Sequence, residues 1–200
     1  MSLPILACLF WAILLLAEWR KTRSASKAVL AGFMVVTCIL YGGHLIFFGH
    51  LFRVMPLGDT LYSAANLAVY PLYYIYILSV TESVWRPRRF AALMLPSVVG
   101  GLVAGSLYLL MDARQTQDFF DTYLYGNRYG SLSGTAAVQA YVHTVFKFVF
   151  ALQILFILVA GIGKIRRFDR LVEDNYSDTL LRKMYMAKSI LTLFVVVFGS

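Results

Sequence analysis

The stretch from Asp59 to Glu82 constrains the fold most, because no residue between these two carboxylates is charged. As an α-helix this segment is roughly 30 Å long, about the thickness of the hydrocarbon core of a bilayer. It therefore predicts a membrane-spanning helix. Polar side chains recur along it at steps of three and four residues, at Asp59, Tyr62, Asn66, Tyr70 and Tyr73. We expect this stripe to face other helices or a hydrated cavity rather than lipid.

Composition places the rest of the chain in the membrane as well. Hydrophobic residues make up 60% of the sequence and charged residues 14%, which lies outside the range of soluble domains. The apolar runs predict an all-α, polytopic transmembrane helix bundle with spans at residues 3–19, 28–49, 59–82, 90–111, 139–163 and 186–200. The last run is too short to cross a bilayer. We therefore expect five complete spans and a truncated sixth, in a longer protein.

The basic residues predict the orientation of the bundle. Of 18 Lys and Arg residues, fourteen fall in the first, third and fifth connections and three in the second and fourth. Connections rich in Lys and Arg stay in the cytoplasm, so we expect the N-terminus outside. The net charge of +8 then reflects topology and contacts with anionic lipid, not binding of nucleic acid by these residues.

Three residues predict how the spans bend and pack. Pro71 lacks a backbone donor inside the third span, so we expect a kink there. Gly101 and Gly105 stand four residues apart in the fourth span, a spacing that permits close approach of another helix. A glycine pair facing lipid is the alternative interpretation.

Two connections are long enough to have a role of their own. Residues 112–138 form a hydrophilic connection on the outer side, which predicts an ordered loop or a lid. On the inner side, Ile165, Phe168 and Val172 share one helical face, so we expect the fifth span to continue into water for two turns. A solvated charged turn is the alternative. The residues expected to couple helix movement to the inner side are Pro71, Tyr176, Ser177 and Asp178.

Ionisable residues within the spans indicate a candidate ligand site. Lys147 lies inside the fifth span, and His143 lies one turn nearer the outer side on the same face. Alternatively, Lys147 is a topology anchor whose side chain snorkels outward beside Asp59 or Asp112. The polar pocket predicted near the outer side consists of His44, Asp59, Tyr62, Asn66, His143 and Lys147.

Signatures of metal binding and catalysis are weak or absent in the sequence. His44, His50 and His143 lie at similar depth, where imidazoles could hold a metal or a haem. No pair of them has the spacing of a recognised metal motif, so we expect neither a metal nor another cofactor. A glycine-rich phosphate loop, a Gly-x-Ser-x-Gly elbow and a His-Glu-x-x-His motif are missing. We therefore expect no catalytic residues and no enzymatic activity.

Several segments resemble a known family. They are Asp-Thr-Leu-Tyr at 59–62, Leu-Ala-Val-Tyr-Pro-Leu-Tyr-Tyr at 67–74, Asp-Thr-Tyr-Leu-Tyr at 121–125, Lys-Ile-Arg-Arg-Phe at 164–168 and Arg-Leu-Val-Glu-Asp-Asn-Tyr-Ser-Asp at 170–178. Together they are similar to the membrane-embedded N-terminal portion of AraC-type helix-turn-helix transcriptional regulators of Bacteroidetes. The resemblance covers essentially the whole chain.

The resemblance implies that residues 1–200 are a sensory input domain and that a cytoplasmic DNA-binding domain follows in the longer protein. A protein whose N-terminus is outside and whose DNA-binding domain is in the cytoplasm must cross the membrane an odd number of times, so we expect seven spans rather than six. DNA is then bound only through the missing domain, while this chain contacts the bilayer and an unidentified small ligand or protein signal. A homodimer is compatible with that role. The alternatives are the input domain of a histidine kinase or cyclase, and a small transporter or membrane enzyme with its site at Lys147 and Asp59.

Overall fold

The protein folds into a bundle of helices. The computed structural model describes residues 2–82, 87–128 and 131–175. Its elements are α1 (Ser2–Thr22), α2 (Ala25–Phe48), α3 (Met55–Thr81), α4 (Pro87–Leu110), α5 (Ala113–Phe119), a π-helical turn (Phe120–Leu124) and α6 (Gly134–Asn175). All the helices except α5 are long and apolar enough to cross a membrane. The prediction of an all-α multipass bundle is confirmed for the described ranges.

The helices are longer than the predicted spans at most of their ends. α3 begins at Met55 rather than at residue 59, and α6 (Gly134–Asn175) begins before residue 139. Beyond residue 163, α6 continues as a helix, as the shared face of Ile165, Phe168 and Val172 predicted. The predicted spans followed the apolar runs, whereas a helix continues into polar residues beyond the hydrocarbon core until a cap or breaker stops it. The run at 186–200 lies outside the described residues, as do the proposed coupling residues at 176–178.

α3 occupies the middle of the bundle, in contact with α2, α4 and α6. Tyr70 and Tyr73 of the polar stripe are buried there, and Pro71 is buried between them within one continuous helix. The ring of Tyr70 meets that of Phe150 edge to face at 5.3 Å. Tyr73 packs in one cluster with Ile165 of α6. This part of the stripe faces other helices, as the spacing predicted.

Small residues bring α4 close to α3. A Cβ atom added at Gly101 would lie 2.9 Å from the Cβ of Ala64, and one added at Gly105 would lie 3.2 Å from a methyl carbon of Thr60. The hydroxyl of Ser97, one turn before Gly101, donates to the carbonyl of Ala64 over 2.7 Å. Of the two interpretations of the glycine pair, close helix approach is therefore the one that holds.

We expect Gly101→Ala to lower the free energy of unfolding by about 1–3 kcal/mol, because its Cβ would force α3 and α4 apart. Gly163→Ala is the matched control, since a Cβ at Gly163 meets no atom within 4 Å. Both variants gain the same methyl group and the same helix propensity. The comparison is made by reversible unfolding in mixed detergent micelles. Equal stability of the two variants would contradict the close α3–α4 contact.

Charged side chains join three helices at the end of the bundle where α3 finishes. Glu82 accepts from Lys164 of α6 over 2.5 Å and from Arg89 of α4 over 3.3 Å. All three side chains are partly exposed, so each pair contributes roughly 0–1 kcal/mol. Their arrangement matters more than their strength, because it fixes where α6 passes α3 and α4.

At the opposite end, the connection between α4 and α6 folds back onto the bundle. Residues 112–128 form the α5 segment, which contains α5 and the π-helical turn. Asp112 caps α5 by accepting from the backbone N–H of Gln115 over 2.7 Å. Phe119, Phe120 and Tyr123 are buried against the bundle. The connection is thus an ordered, partly helical segment. Its hydrophilic composition did not predict the buried apolar side chains that anchor it.

Candidate functional site

A cavity of about 370 Å³ lies under the α5 segment, between α2, α3 and α6. Its size falls in the range of small-molecule sites. The residues that line it are Gly43, His44, Phe47, Phe48, Met55, Asp59, Tyr62, Tyr123, Leu124, Asn127, His143 and Lys147. The lining therefore combines a few ionisable groups with aromatic and aliphatic walls.

Asp59 is held by donors from two other helices. Its Oδ2 atom accepts from the hydroxyl of Tyr108 on α4 over 2.7 Å. The same oxygen lies 3.1 Å from Nε2 of His143 on α6, and both side chains of this pair are only 10% exposed. A carboxylate removed from water needs such donors, because an unpaired buried charge is costly. The contacts join α3, α4 and α6 at one atom.

Gln139 lies one helical turn from His143 and is fully buried. Its Nε2 atom is 3.3 Å from Nε2 of His143 and 3.5 Å from the carbonyl oxygen of Ala104. The imidazole Nε2 carries at most one hydrogen. When it is protonated it donates to Asp59, and when it is bare it accepts from the Gln139 amide, so the tautomer decides which of the two contacts is a hydrogen bond.

Lys147 reaches from α6 towards the α5 segment. Its Nζ atom lies 5.3 Å from the centre of the Tyr123 ring, a cation–π contact. The Tyr123 ring in turn meets the His143 ring edge to face at 5.8 Å. The lysine therefore points towards this end of the bundle, as snorkelling requires, and it lines the cavity at the same time. Both roles proposed for it are compatible with this position.

α2 contributes the opposite wall. The His44 ring meets the Tyr62 ring edge to face at 5.0 Å. A Cβ atom at Gly43 would lie 2.8 Å from the Cβ of Tyr62, so only glycine allows α2 to pack this closely beside the tyrosine. Phe47 stacks on Tyr125 of the α5 segment at 4.6 Å, and the Tyr125 hydroxyl donates to the Phe47 carbonyl over 2.7 Å. These contacts attach the α5 segment to α2.

Five of the six predicted pocket residues meet in this cavity: His44, Asp59, Tyr62, His143 and Lys147. Asn66 is not among the residues that line this cavity, so its role in ligand binding stays a prediction. It lies seven residues beyond Asp59 on α3, roughly 10 Å along the helix axis, and the cavity does not extend that far.

The three histidines have different neighbours. His44 meets Tyr62, His143 meets Asp59, and His50 stacks on Tyr125 at a ring distance of 5.0 Å. Within residues 2–82, 87–128 and 131–175, no three His, Cys, Asp or Glu side chains come close enough together to hold a metal ion.

Several residues of the site were not predicted. Gln139 precedes His143 by four residues and Lys147 by eight, so the periodicity of α6 could have indicated it. Tyr108 could not be predicted, because nothing in the sequence relates it to Asp59, a residue 49 positions away. Tyr123 and Asn127 lie in a connection whose path over the cavity depends on tertiary packing.

The described residues define a multipass helical membrane protein with a polar cavity at one end of the bundle. No protein-family model, curated protein or solved structure matches the chain.

Proposed function

We propose that the chain is the sensory input module of a membrane signalling protein, with the cavity as its signal site. The observation that carries the proposal is the continuity of α6. This single helix contributes His143 and Lys147 to the cavity and then runs without interruption to Asn175. An uninterrupted helix transmits rotation and translation along its axis. A movement of α6 at the cavity therefore moves the far end of the helix as well.

The length of α6 supports a role across the membrane. Its 42 residues correspond to roughly 63 Å of helix, about twice the thickness of the hydrocarbon core. Lys147 and Asn175 alone are roughly 42 Å apart along the helix axis. A helix of this length connects the aqueous phase on one side of a bilayer with that on the other.

The inner half of α6 keeps contact with the middle of the bundle. Ile165 is fully buried in a cluster with Tyr73 and Ile77 of α3. Further along, Asp169 and Val172 are still buried. A displacement of α6 at the cavity would therefore be shared with α3 before it reaches the far end, and packed helices change position in discrete steps rather than continuously.

The output proposed for the module is control of transcription. The distribution of Lys and Arg supports an N-terminus on the outer side, and the resemblance implies a bacterial cytoplasmic membrane. In that orientation the cavity faces the outer side and α6 ends in the cytoplasm. In the membrane-embedded AraC-type regulators that the chain resembles, a DNA-binding domain follows the membrane part, and the proposal takes that domain as the output. In this scheme the chain binds DNA only through that domain.

A small transporter is the second candidate, and one observation favours it. Asp59, His143 and Tyr108 form a connected ionisable network within a membrane bundle, an arrangement found in proton-coupled carriers. A transporter predicts uptake by the purified protein in liposomes. An input module predicts none.

A phase experiment on the chain joined to its proposed output domain tests the proposal without knowledge of the signal. One alanine inserted between Glu173 and Asp174 turns the end of α6 by about 100° and leaves the cavity untouched. Seven alanines at the same place restore the phase to within about 20°. Transcript profiling should show that the single insertion changes the regulated genes, while the seven-residue insertion preserves regulation.

The deletion strain and membrane insertion of each variant serve as controls. Identical transcript profiles for the wild type, the single insertion and the deletion would exclude transcriptional control. If uptake into liposomes were found in addition, the transporter would replace the input module.

A further inference from the structure

The ligand class of the cavity follows from its charges and walls, and this inference deepens the proposed function, on which it rests. We propose that the cavity binds a small organic carboxylate with an aromatic or branched apolar body. The carboxylate is held by Lys147, and the apolar body packs between α2 and the α5 segment. The volume of about 370 Å³ admits such a molecule but not a phospholipid with two acyl chains.

The negative charge of Asp59 is already compensated from inside the protein. Oδ2 faces the Tyr108 hydroxyl at 2.7 Å and the His143 imidazole at 3.1 Å, and the carboxylate side chain is 10% exposed. A cationic ligand would have to compete with donors that the fold holds in place. Asp59 therefore anchors the base of the cavity and is not the group that attracts the ligand.

Lys147 supplies the positive charge. The contact with the Tyr123 ring uses the electrostatic attraction of the ring face, and the ammonium group has three N–H donors. Contacts with protein neighbours are therefore compatible with a hydrogen bond to a ligand carboxylate. Such a charge-assisted bond is stronger than a neutral one. Asn127, which also lines the cavity, has an amide N–H₂ group that can donate as well.

The formal charge of the lining also disfavours a cation. Asp59 and Lys147 cancel each other, and every proton taken up by His44 or His143 adds one positive charge. The cavity is thus neutral or positive, whichever form the two imidazoles adopt. A positive cavity of low polarity favours an anion over a cation of the same shape, and in a neutral cavity the position of Lys147 relative to the ligand decides the preference.

The remaining wall selects the body of the ligand. Phe47 is fixed by stacking on Tyr125 at 4.6 Å, which makes a rigid aromatic face. Met55 is buried and Leu124 half-buried beside the cavity, and a methionine adapts its shape to the group packed against it. An apolar ring or branched chain fits this wall, whereas a sugar would leave its hydroxyl groups without partners.

Binding of three matched probes to the purified protein in nanodiscs of zwitterionic lipid tests the inference. The probes are 4-phenylbutyrate, its neutral amide 4-phenylbutyramide and the cation 4-phenylbutylamine. They share one apolar body, so partition into lipid is controlled by the amide and the amine. We expect saturable binding of the carboxylate, about tenfold tighter than that of the amide, and no saturable binding of the amine.

Two variants assign the effect to Lys147. Lys147→Met should remove the preference for the carboxylate over the amide, and Lys147→Arg should retain it, because arginine keeps the charge. Tighter binding of the amine than of the carboxylate, or an unchanged preference in Lys147→Met, would overturn the inference. So would the absence of saturable binding by all three probes to wild-type protein that unfolds cooperatively.

This measurement contains no transcriptional readout. A failed ligand assignment therefore leaves the input module to the insertion experiment, and a failed insertion experiment leaves the binding result standing.

Discussion

Phe119→Ala is expected to release the α5 segment from the bundle. The free energy of releasing the segment from its packed position should fall by about 3–5 kcal/mol. Phe119 is fully buried, and its ring contacts those of Tyr108, Tyr123 and His143 at 5.9, 5.2 and 5.6 Å. Truncation would leave a void at the point where the segment meets α4 and α6. Hydrogen exchange of the backbone amides of residues 113–128 measures the opening.

The matched control is Phe148→Ala, which removes the same atoms from a side chain that is 69% exposed. Amide exchange in the α5 segment should stay at the wild-type rate in this variant. Equal protection of the segment in both variants would show that Phe119 does not anchor it. Other contacts would then have to hold the α5 segment over the cavity.

Asp59→Leu is expected to destabilise the bundle by about 2–4 kcal/mol, although leucine is similar in size and more apolar. The substitution leaves two buried donors, the Tyr108 hydroxyl and His143 Nε2, without their acceptor, and each unsatisfied donor costs roughly 1–3 kcal/mol. Reversible unfolding in mixed micelles measures the loss.

A double-mutant cycle assigns the loss to the hydrogen bond. Tyr108→Phe should cost roughly 1.5–3 kcal/mol in the wild type, whereas in the Asp59→Leu background it removes an unsatisfied hydroxyl and should restore part of the lost stability. Asp118→Leu, at an exposed carboxylate of α5, should change stability by less than about 0.5 kcal/mol. Additive effects of Asp59→Leu and Tyr108→Phe would argue against direct contact between these two residues.

Much of the fold could be predicted because one physical rule dominates it. A backbone in hydrocarbon must satisfy its own hydrogen bonds, so apolar runs of sufficient length become helices. The rule gives each helix but not its ends, and the continuation of α6 past its apolar run was predicted instead from the helical face that Ile165, Phe168 and Val172 share. It also says nothing about the α5 segment, whose anchors Phe119 and Phe120 belong to a hydrophilic connection.

The candidate site was predicted in part for a related reason. Residues at equal depth on adjacent helices come together, so the positions of Asp59, His143 and Lys147 near the beginnings of the parallel helices α3 and α6 were enough to place them at one end. Rotation about each helix axis is set by packing instead. Tyr108 faces Asp59 because Gly101 and Gly105 bring α4 against α3. Asn66 shares a helical face with Asp59 but lies two turns further along α3. Ligand binding and gene control stay predictions.

The central position of α3 has a consequence for the biogenesis of the protein. α3 is the most buried of the five long helices, and its most apolar 18-residue stretch has the lowest mean hydropathy of the five such stretches. Its tyrosines suit protein neighbours better than lipid tails, so its own partition free energy into the bilayer is the weakest of the five. We expect the translocon to release α3 efficiently only when α2 or α4 is already present to receive it. The sequence order, with α2 synthesised directly before α3, provides such a partner in time.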